Sequence, residues 1–284
     1  MELKRATAAF HDRPTAQAFL RDVGQMADEV LPLGEAALAL AALDRPRVDL
    51  ARYRGHLDAL AREVSEENAA TDDILEHVHA LTAVIDGRYG YHGDTLTYED
   101  LQNANLMRVI DRRKGLPVAL GILYIHAGRA QGWNMAGLAF PGHFLVRLER
   151  GARVILDPFH GGRICAAAEL RDLLKVVGGN DAELSPQHYA AVSDREILLR
   201  LQNNVKLRLI ESQQLEKALV VLDGMTLFAP HHAPLWREAG MIAAQLGNLR
   251  AAIASLERFV ALSVDAGARH QATAFLRRLK TRLQ

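Results

Sequence analysis

The stretch "PGHFLVRLERGARVILDPF", residues 141–159, reads as two extended segments joined by a short turn. Gly151 suits that turn, because the third place of a three-residue hairpin loop requires a left-handed backbone. We therefore predict a loop over residues 149–151, closed by a pairing of Leu148 with Ala152. This pairing decides which residues of the two strands face each other.

The predicted register brings an imidazole and a carboxylate together. If Leu148 pairs with Ala152, His143 lies directly opposite Asp157, and directly opposed residues have Cβ atoms ~4.5–5.5 Å apart on one face. A slip of one residue would send the two side chains to opposite faces of the sheet. A carboxylate on an imidazole fixes its tautomer and supports the charged ring in catalytic sets. Spacing alone leaves two interpretations open, a catalytic pair and a structural hydrogen bond.

Helical patterns precede the hairpin. Residues 15–84 carry apolar side chains at helical spacing, and one stripe consists of Leu50, Tyr53, Leu57, Leu60 and Val64. In "GLPVALGILYIHAGRAQGW", residues 115–133, Pro117 fits the first turn of a helix that is apolar on nearly every side. Helices followed by three extended segments, "MAGLAF", "FLVRLE" and "RVILDPF", predict an α+β domain with a small antiparallel sheet.

After a glycine-containing linker near residues 176–186, helices return with a period of 34 residues. The matching positions are Ala218 with Ala252 and Leu222 with Leu256. One helix–turn–helix per 34 residues is the tetratricopeptide pattern, although a generic helical bundle is the alternative. Flanking helices at about 195–212 and 268–283 would cap the two units. We predict one domain over residues 1–185 and a tetratricopeptide-like region over residues 186–284.

Composition narrows the function classes. The 284 residues carry 34 Lys plus Arg and 34 Asp plus Glu, so no net field recruits nucleic acid or an anionic membrane. No apolar run approaches the ~20 residues of a membrane span, and the first residues lack an apolar core of signal-peptide length. The single Cys excludes an internal disulfide and a cysteine-rich metal site. We expect a cytoplasmic protein without membrane contact.

Several motifs together carry a family resemblance. The segments "NANLMRVIDRRKGLPVALGILYIHAGRAQGW", "FPGHFLVRL", "ILDPFHGG" and "SDREILLRLQNNVKLRLI" resemble the transglutaminase-like bacterial family fused to tetratricopeptide repeats and named after the Sir-B-one invasion regulator. The resemblance implies N-terminal helices packed on a transglutaminase-like (papain-like) core, followed by an all-α repeat region. It also implies a Cys–His–Asp triad, of which His143 and Asp157 match the last two members.

The nucleophile of that triad is missing. The resemblance places the Cys at the start of the buried helix, where this chain has Pro117. A helix N-terminus and an imidazolium lower the pKa of a thiol there, but proline has no atom to attack with. No Ser, Thr or Cys occurs within residues 115–130, so thioester chemistry at this place is excluded. Cys165 is an alternative nucleophile, but free Cys is usually a small buried hydrophobe.

Other polar groups favour structural roles. His77 and His79 are two apart on a helix and face different sides, and His231 with His232 lies in a loop between repeats. The cations in "RVIDRRKG" suit a helix C-terminus better than a phosphate site. Asn103 and Asn105 suit local backbone hydrogen bonds, and "FHGG" suits a tight turn. We expect no metal and no cofactor.

Three functions compete. The first is a non-catalytic, regulatory interaction protein, in which the repeats offer a groove to a protein or peptide partner. The alternative is a hydrolase or peptidase-like enzyme, in which His143 and Asp157 activate water or a recruited nucleophile such as Cys165. The third, direct binding of nucleic acid, is disfavoured by the balanced charge and the lack of a base-reading motif. The missing nucleophile at Pro117 favours the first.

Overall fold

A computed structural model describes residues 13–68, 72–138 and 140–283. The first 12 residues, on which the expectation of no signal peptide depends, lie outside the described residues. The chain divides into two compact units: Ala27–Leu201 belongs to one, and Gln17–Met26 with Gln202–Gln284 belongs to the other. We call them the hairpin unit and the repeat unit. The predicted boundary between residues 185 and 186 stays a prediction.

Helices make up most of the hairpin unit, as the apolar periodicity predicts. Helix α1 (Arg13–Val23) and helix α8 (Asp194–Glu211) have residues in both units; the helices between them are α2 (Leu33–Asp44), α3 (Ala51–Glu67), α4 (Ile74–Thr82), α5 (Leu106–Arg112), α6 (Pro117–Ala130) and α7 (Ala167–Gly178). The predicted apolar stripe along α3 is buried. Helix α6 begins with Pro117 at its first position and is buried on nearly every side, as predicted.

The sheet of the hairpin unit has five strands, and every neighbouring pair is antiparallel. Its order is β6-β5-β4-β3-β7, with β3 (Asn134–Leu138), β4 (Leu145–Arg150), β5 (Ala152–Asp157), β6 (Arg163–Ile164) and β7 (Ala191–Val192). Strands β3, β4 and β5 are the three segments expected from the sequence. Two further two-residue strands, β1 (His92–Gly93) and β2 (Lys114–Gly115), form a separate parallel pair.

The predicted hairpin register is wrong by two residues. The ladder pairs Glu149 with Arg153, and Gly151, at a φ of 65°, occupies the tip of the turn. This register places opposite charges face to face, and Nε of Arg153 donates to Oε1 of Glu149 at 2.7 Å. His143 therefore precedes β4 and is not directly opposite Asp157. Because side chains alternate with a period of two, a two-residue shift keeps both side chains on the same face.

The repeat unit is all-α in the part that the structure describes. After the last residues of α8 come α9 (Leu215–Phe228), α10 (Ala233–Gln245), α11 (Leu249–Leu262) and α12 (Ala266–Leu283). Gly240 on α10 lets α11 approach closely, since a Cβ at Gly240 would lie 2.6 Å from Cγ of Leu256. In neither unit is a described helix long and apolar enough to cross a membrane.

Candidate functional site

A tight turn before β4 holds His143. The His143 amide donates to the Phe140 carbonyl at 3.0 Å, and Gly142, at a φ of 69°, takes the left-handed conformation that the turn requires. Arg200 donates from Nη2 to the His143 carbonyl at 2.7 Å, and its guanidinium carbon lies 5.6 Å from the centroid of the Phe144 ring. The backbone on both sides of the imidazole is therefore fixed.

Asp157 is the centre of the site. It is the last residue of β5, is fully buried, and caps a single 3-10 turn, Pro158–His160. Its Oδ1 accepts the Phe159 amide at 3.0 Å, and its Oδ2 lies 2.6 Å from Nδ1 of His160. The Nε2 atom of His143 lies 3.1 Å from Oδ1. The two residues singled out in the sequence thus meet despite the corrected register.

Two imidazoles keep this buried carboxyl ionised. Burial raises the pKa of the Asp157 carboxyl, but His143 and His160 outweigh burial and hold that pKa below its ordinary value. The Asp157 carboxylate therefore carries its negative charge at neutral pH, and it lies between two imidazole rings.

His160 is a site residue that sequence reasoning missed. The sequence pattern places it only in the tight turn "FHGG", yet its ring lies almost parallel to that of His143, with centroids 6.3 Å apart. The signal is its position three residues after Asp157, because a cap followed by a 3-10 turn returns the third side chain to the cap. About half of the His160 side chain is exposed, against 16% for His143.

Phe159 connects this site to the start of α6. Its ring centroid lies 6.5 Å from that of His143, and the ring packs so closely on Gly93 that a Cβ there would overlap it. Gly93 pairs with Gly115, two residues before Pro117. Pro117 is buried at the first position of α6. The helix start lacks a nucleophilic side chain there, as the sequence indicates.

Cys165 lies in the apolar core of the hairpin unit. It is 6% exposed and belongs to a buried cluster with Phe140, Ile155 and Leu170, among others. Its Sγ lies 3.9 Å from the Arg163 carbonyl. Burial raises the pKa of the Cys165 thiol to about 12, so almost no thiolate exists at neutral pH.

The remaining polar candidates have structural contacts. Asn103 is fully buried; its amide nitrogen donates to the Thr97 carbonyl at 2.7 Å, and Nη1 of Arg112 donates to its oxygen at 2.8 Å. His77 is buried and stacks on Trp133 with ring centroids 4.2 Å apart, whereas His79 is exposed on the other side of α4. These groups lie outside the His143–Asp157 site.

Comparisons with known proteins agree with the motifs. The family model described as "Transglutaminase-like superfamily" matches residues 51–203, and a tetratricopeptide repeat model matches residues 205–277. A UPF0162 protein of Xylella fastidiosa is 30% identical over 83% of this chain and 85% of its own length. Protein SirB1 of Salmonella typhimurium is 27% identical over 72% of this chain and 75% of its own length.

Among solved structures, that of menin, titled as revealing the binding site for Mixed Lineage Leukemia protein, aligns over 88% of this chain and 70% of that chain. At 11% identity and a TM-score of 0.42, this similarity is too low to inform function. The family model covers more than half of the chain, and the relatives cover most of it. The chain therefore belongs to the transglutaminase-like superfamily, in the bacterial family of the UPF0162 proteins and SirB1.

Proposed function

We propose that this protein is a non-catalytic member of its superfamily, which binds a protein or peptide partner through its repeat unit and acts by regulation. The observation that carries the proposal is the buried Pro117 at the start of α6, where the family resemblance places an attacking sulfur. His143 and Asp157 persist as a pair without a nucleophile to activate. A transglutaminase-like core with tetratricopeptide repeats supports an interaction role.

The partner surface that we propose lies on α8 and α10 of the repeat unit. Lys206 on α8 forms an ion pair with Glu238 on α10, which holds the two helices side by side. Next to this pair, Leu207 is 52% exposed and Met241 is 50% exposed. Stacked helical repeats create extended concave surfaces that bind peptides. Exposed apolar side chains on neighbouring repeat helices suit such binding.

We expect no direct contact with nucleic acid, and we place the interaction in the cytoplasm, where a lone free Cys is common.

A hydrolase remains the second candidate because His143 and Asp157 do meet. Asp157 lies at Nε2, which leaves Nδ1 of His143 as the nitrogen that would act on a water molecule. General-base catalysis requires such a nitrogen within hydrogen-bond reach of the attacking group. The buried, protonated thiol of Cys165 does not supply a recruited nucleophile.

Quantitative capture tests the proposal. The full chain carrying Leu207→Glu and Met241→Glu is compared with wild type and with Val176→Glu, which changes an 84% exposed apolar residue of the hairpin unit. We expect partners identified by mass spectrometry to bind wild type and Val176→Glu but not the double variant. Binding of the purified partner should weaken by at least about tenfold.

Two results would contradict the proposal. Equal capture by all three proteins would remove the repeat surface from consideration. Turnover of an ester, amide or peptide substrate that disappears in His143→Ala would establish the hydrolase instead. The interaction proposal assigns no role to His143, so it does not predict this loss.

A further inference from the structure

We propose that His143, Asp157 and His160 form a binding site for a divalent transition-metal ion of the Zn²⁺ type. One ligand atom from each of the three lies within 4.8 Å of the other two, and no other such cluster occurs in the described ranges. None of the three residues belongs to the proposed partner surface, so the inference does not depend on partner binding.

The distances match the size of such an ion. Zn²⁺ binds imidazole nitrogen and carboxylate oxygen at ~2.0–2.2 Å, so tetrahedral ligand atoms lie ~3.3 Å from each other. Nε2 of His143 is already 3.1 Å from one oxygen of Asp157, and Nδ1 of His160 is 2.6 Å from the other. The ligand atoms of all three residues lie within 4.8 Å of one another, which is close enough for one ion to contact them together.

The His143 ring nitrogen is available to an ion. Nε2 of His143 lies 3.1 Å from Oδ1 of Asp157, and it is buried without a hydrogen-bond partner among the described residues. Oδ1 of Asp157 already accepts the Phe159 amide. A metal ion would give this buried nitrogen the partner that the carboxylate does not provide.

The charge around the site also favours a cation. No guanidinium or ammonium group of the described residues lies within ion-pair distance of Asp157, and Arg163, its partner on β6, directs its guanidinium to Glu169 at 3.5 Å. The Asp86 carboxylate packs against Gly161, where a Cβ would lie 2.8 Å from its Cγ. The carboxylates of Asp157 and Asp86 therefore lie at the two ends of the turn that carries His160.

The ligand set indicates the class of metal. Imidazole nitrogens suit Zn²⁺, Co²⁺, Ni²⁺, Cu²⁺ and Fe²⁺, whereas Mg²⁺ and Ca²⁺ prefer sites made of oxygen atoms. Fixed second contacts orient metal ligands, and here Arg200 and the Phe140 carbonyl fix the backbone of His143. Because His160 is half exposed, an ion would reach the site from solvent and keep water as a further ligand.

A metal titration of the full chain tests the inference. Chelator-treated protein is titrated with Zn²⁺ against a chromogenic chelator, and with Co²⁺ by visible absorption. We expect roughly one ion per chain and a Co²⁺ spectrum of low coordination number. His160→Ala removes an exposed ligand, so we expect its affinity to fall by at least about 100-fold with unchanged circular dichroism.

Matched variants make the result decisive. His231→Ala combined with His232→Ala removes two exposed histidines of the repeat unit and should leave the affinity unchanged. His143→Ala provides a second ligand variant and should match His160→Ala. Wild-type binding no tighter than that of His160→Ala, or binding lost in the His231/His232 variant, would show surface binding only and overturn the inference.

Discussion

The two units of this protein differ in how much each of their contacts depends on single residues. In the hairpin unit, two imidazole rings and one backbone amide converge on the single carboxylate of Asp157, and each contact depends on one atom. In the repeat unit, the contacts between helices recur along the chain, as with Gly240 against Leu256. A site of the first kind would lose its chemistry through one substitution, as we propose for Pro117. A surface of the second kind tolerates many substitutions.

The largest expected difference concerns two capping aspartates, one in each unit. Asp157 caps Phe159 and holds two imidazoles in a buried position, whereas the exposed Asp265 caps only the Ala268 amide, at 3.0 Å. We expect Asp157→Ala to lower the free energy of unfolding by about 3 kcal/mol, because it leaves buried groups unpaired. Asp265→Ala should cost about 1 kcal/mol.

Hydrogen exchange by mass spectrometry measures this difference unit by unit, which matters because two units need not unfold together. Asp157→Ala should speed exchange in the hairpin unit, and Asp265→Ala should speed it in the last helix only. Equal losses of unfolding free energy from both substitutions would show that the contacts of Asp157 stabilise the hairpin unit no more than a simple helix cap stabilises the repeat unit.

Two buried glycines give the next largest effect. A Cβ at Gly121 on α6 would lie 2.5 Å from Cε1 of Phe144, and that ring is also held by Gly137 on the other side. The clash therefore has no easy relief, and Gly121→Ala should destabilise by about 2 kcal/mol despite the better helix propensity of Ala. Gly240→Ala meets the more adaptable Leu256 and should cost about 1 kcal/mol.

Urea unfolding followed by circular dichroism compares these two variants with Gly55→Ala, at an α3 position with no atom within 4 Å of an added Cβ. Gly55→Ala should be neutral or slightly stabilising. If Gly240→Ala lowers the free energy of unfolding more than Gly121→Ala does, the packing of the repeat helices is less adaptable than that of the hairpin unit, and the expected order is wrong.

Much of the fold was predictable because burial imposes periodicity. The stripe on α3 and the proline-initiated α6 follow from apolar spacing and from the missing amide of Pro117. The pair of His143 and Asp157 was predictable as well, since strand alternation tolerates a two-residue shift. These features depend on the chemistry and spacing of residues that are close together in the sequence, so the sequence alone predicts them.

The rest depends on tertiary contacts. The observed hairpin register pairs Glu149 with Arg153 and leaves Gly151 alone in the turn, whereas the rule for a three-residue loop predicts Gly151 in the third place of that loop. His160 joins the site because Asp157 caps a 3-10 turn, and no periodic pattern marks such a turn. The division of residues 17–26 into the repeat unit likewise depends on long-range packing that spacing does not encode.

A pH dependence of about 1–2 kcal/mol is expected from His56 in the hairpin unit. Burial and then Arg113 lower the pKa of His56 to about 4, and Nε2 of His56 lies 2.7 Å from the Tyr91 hydroxyl. The folded state therefore binds this proton less readily than the unfolded state, so stability is complete above about pH 6.5 and is lost as the pH falls towards 4.

His56→Gln should flatten this loss, as measured by urea unfolding at pH 7 and pH 5. His79→Gln, at an exposed position, is the control and should follow wild type. Identical pH slopes for wild type and His56→Gln would mean that His56 titrates alike in the folded and unfolded chain.

The smallest expected effect is that of His143→Ala on Cys165. A buried thiol with a pKa of about 12 should react with a disulfide reagent at neutral pH only when the chain opens. In guanidinium, which unfolds the chain, the reagent should modify one thiol per chain at once. His143→Ala should not slow native labelling, because the thiol has no activating base. Fast native labelling that slows in His143→Ala would place a working nucleophile beside the imidazole and make the hairpin unit an enzyme after all.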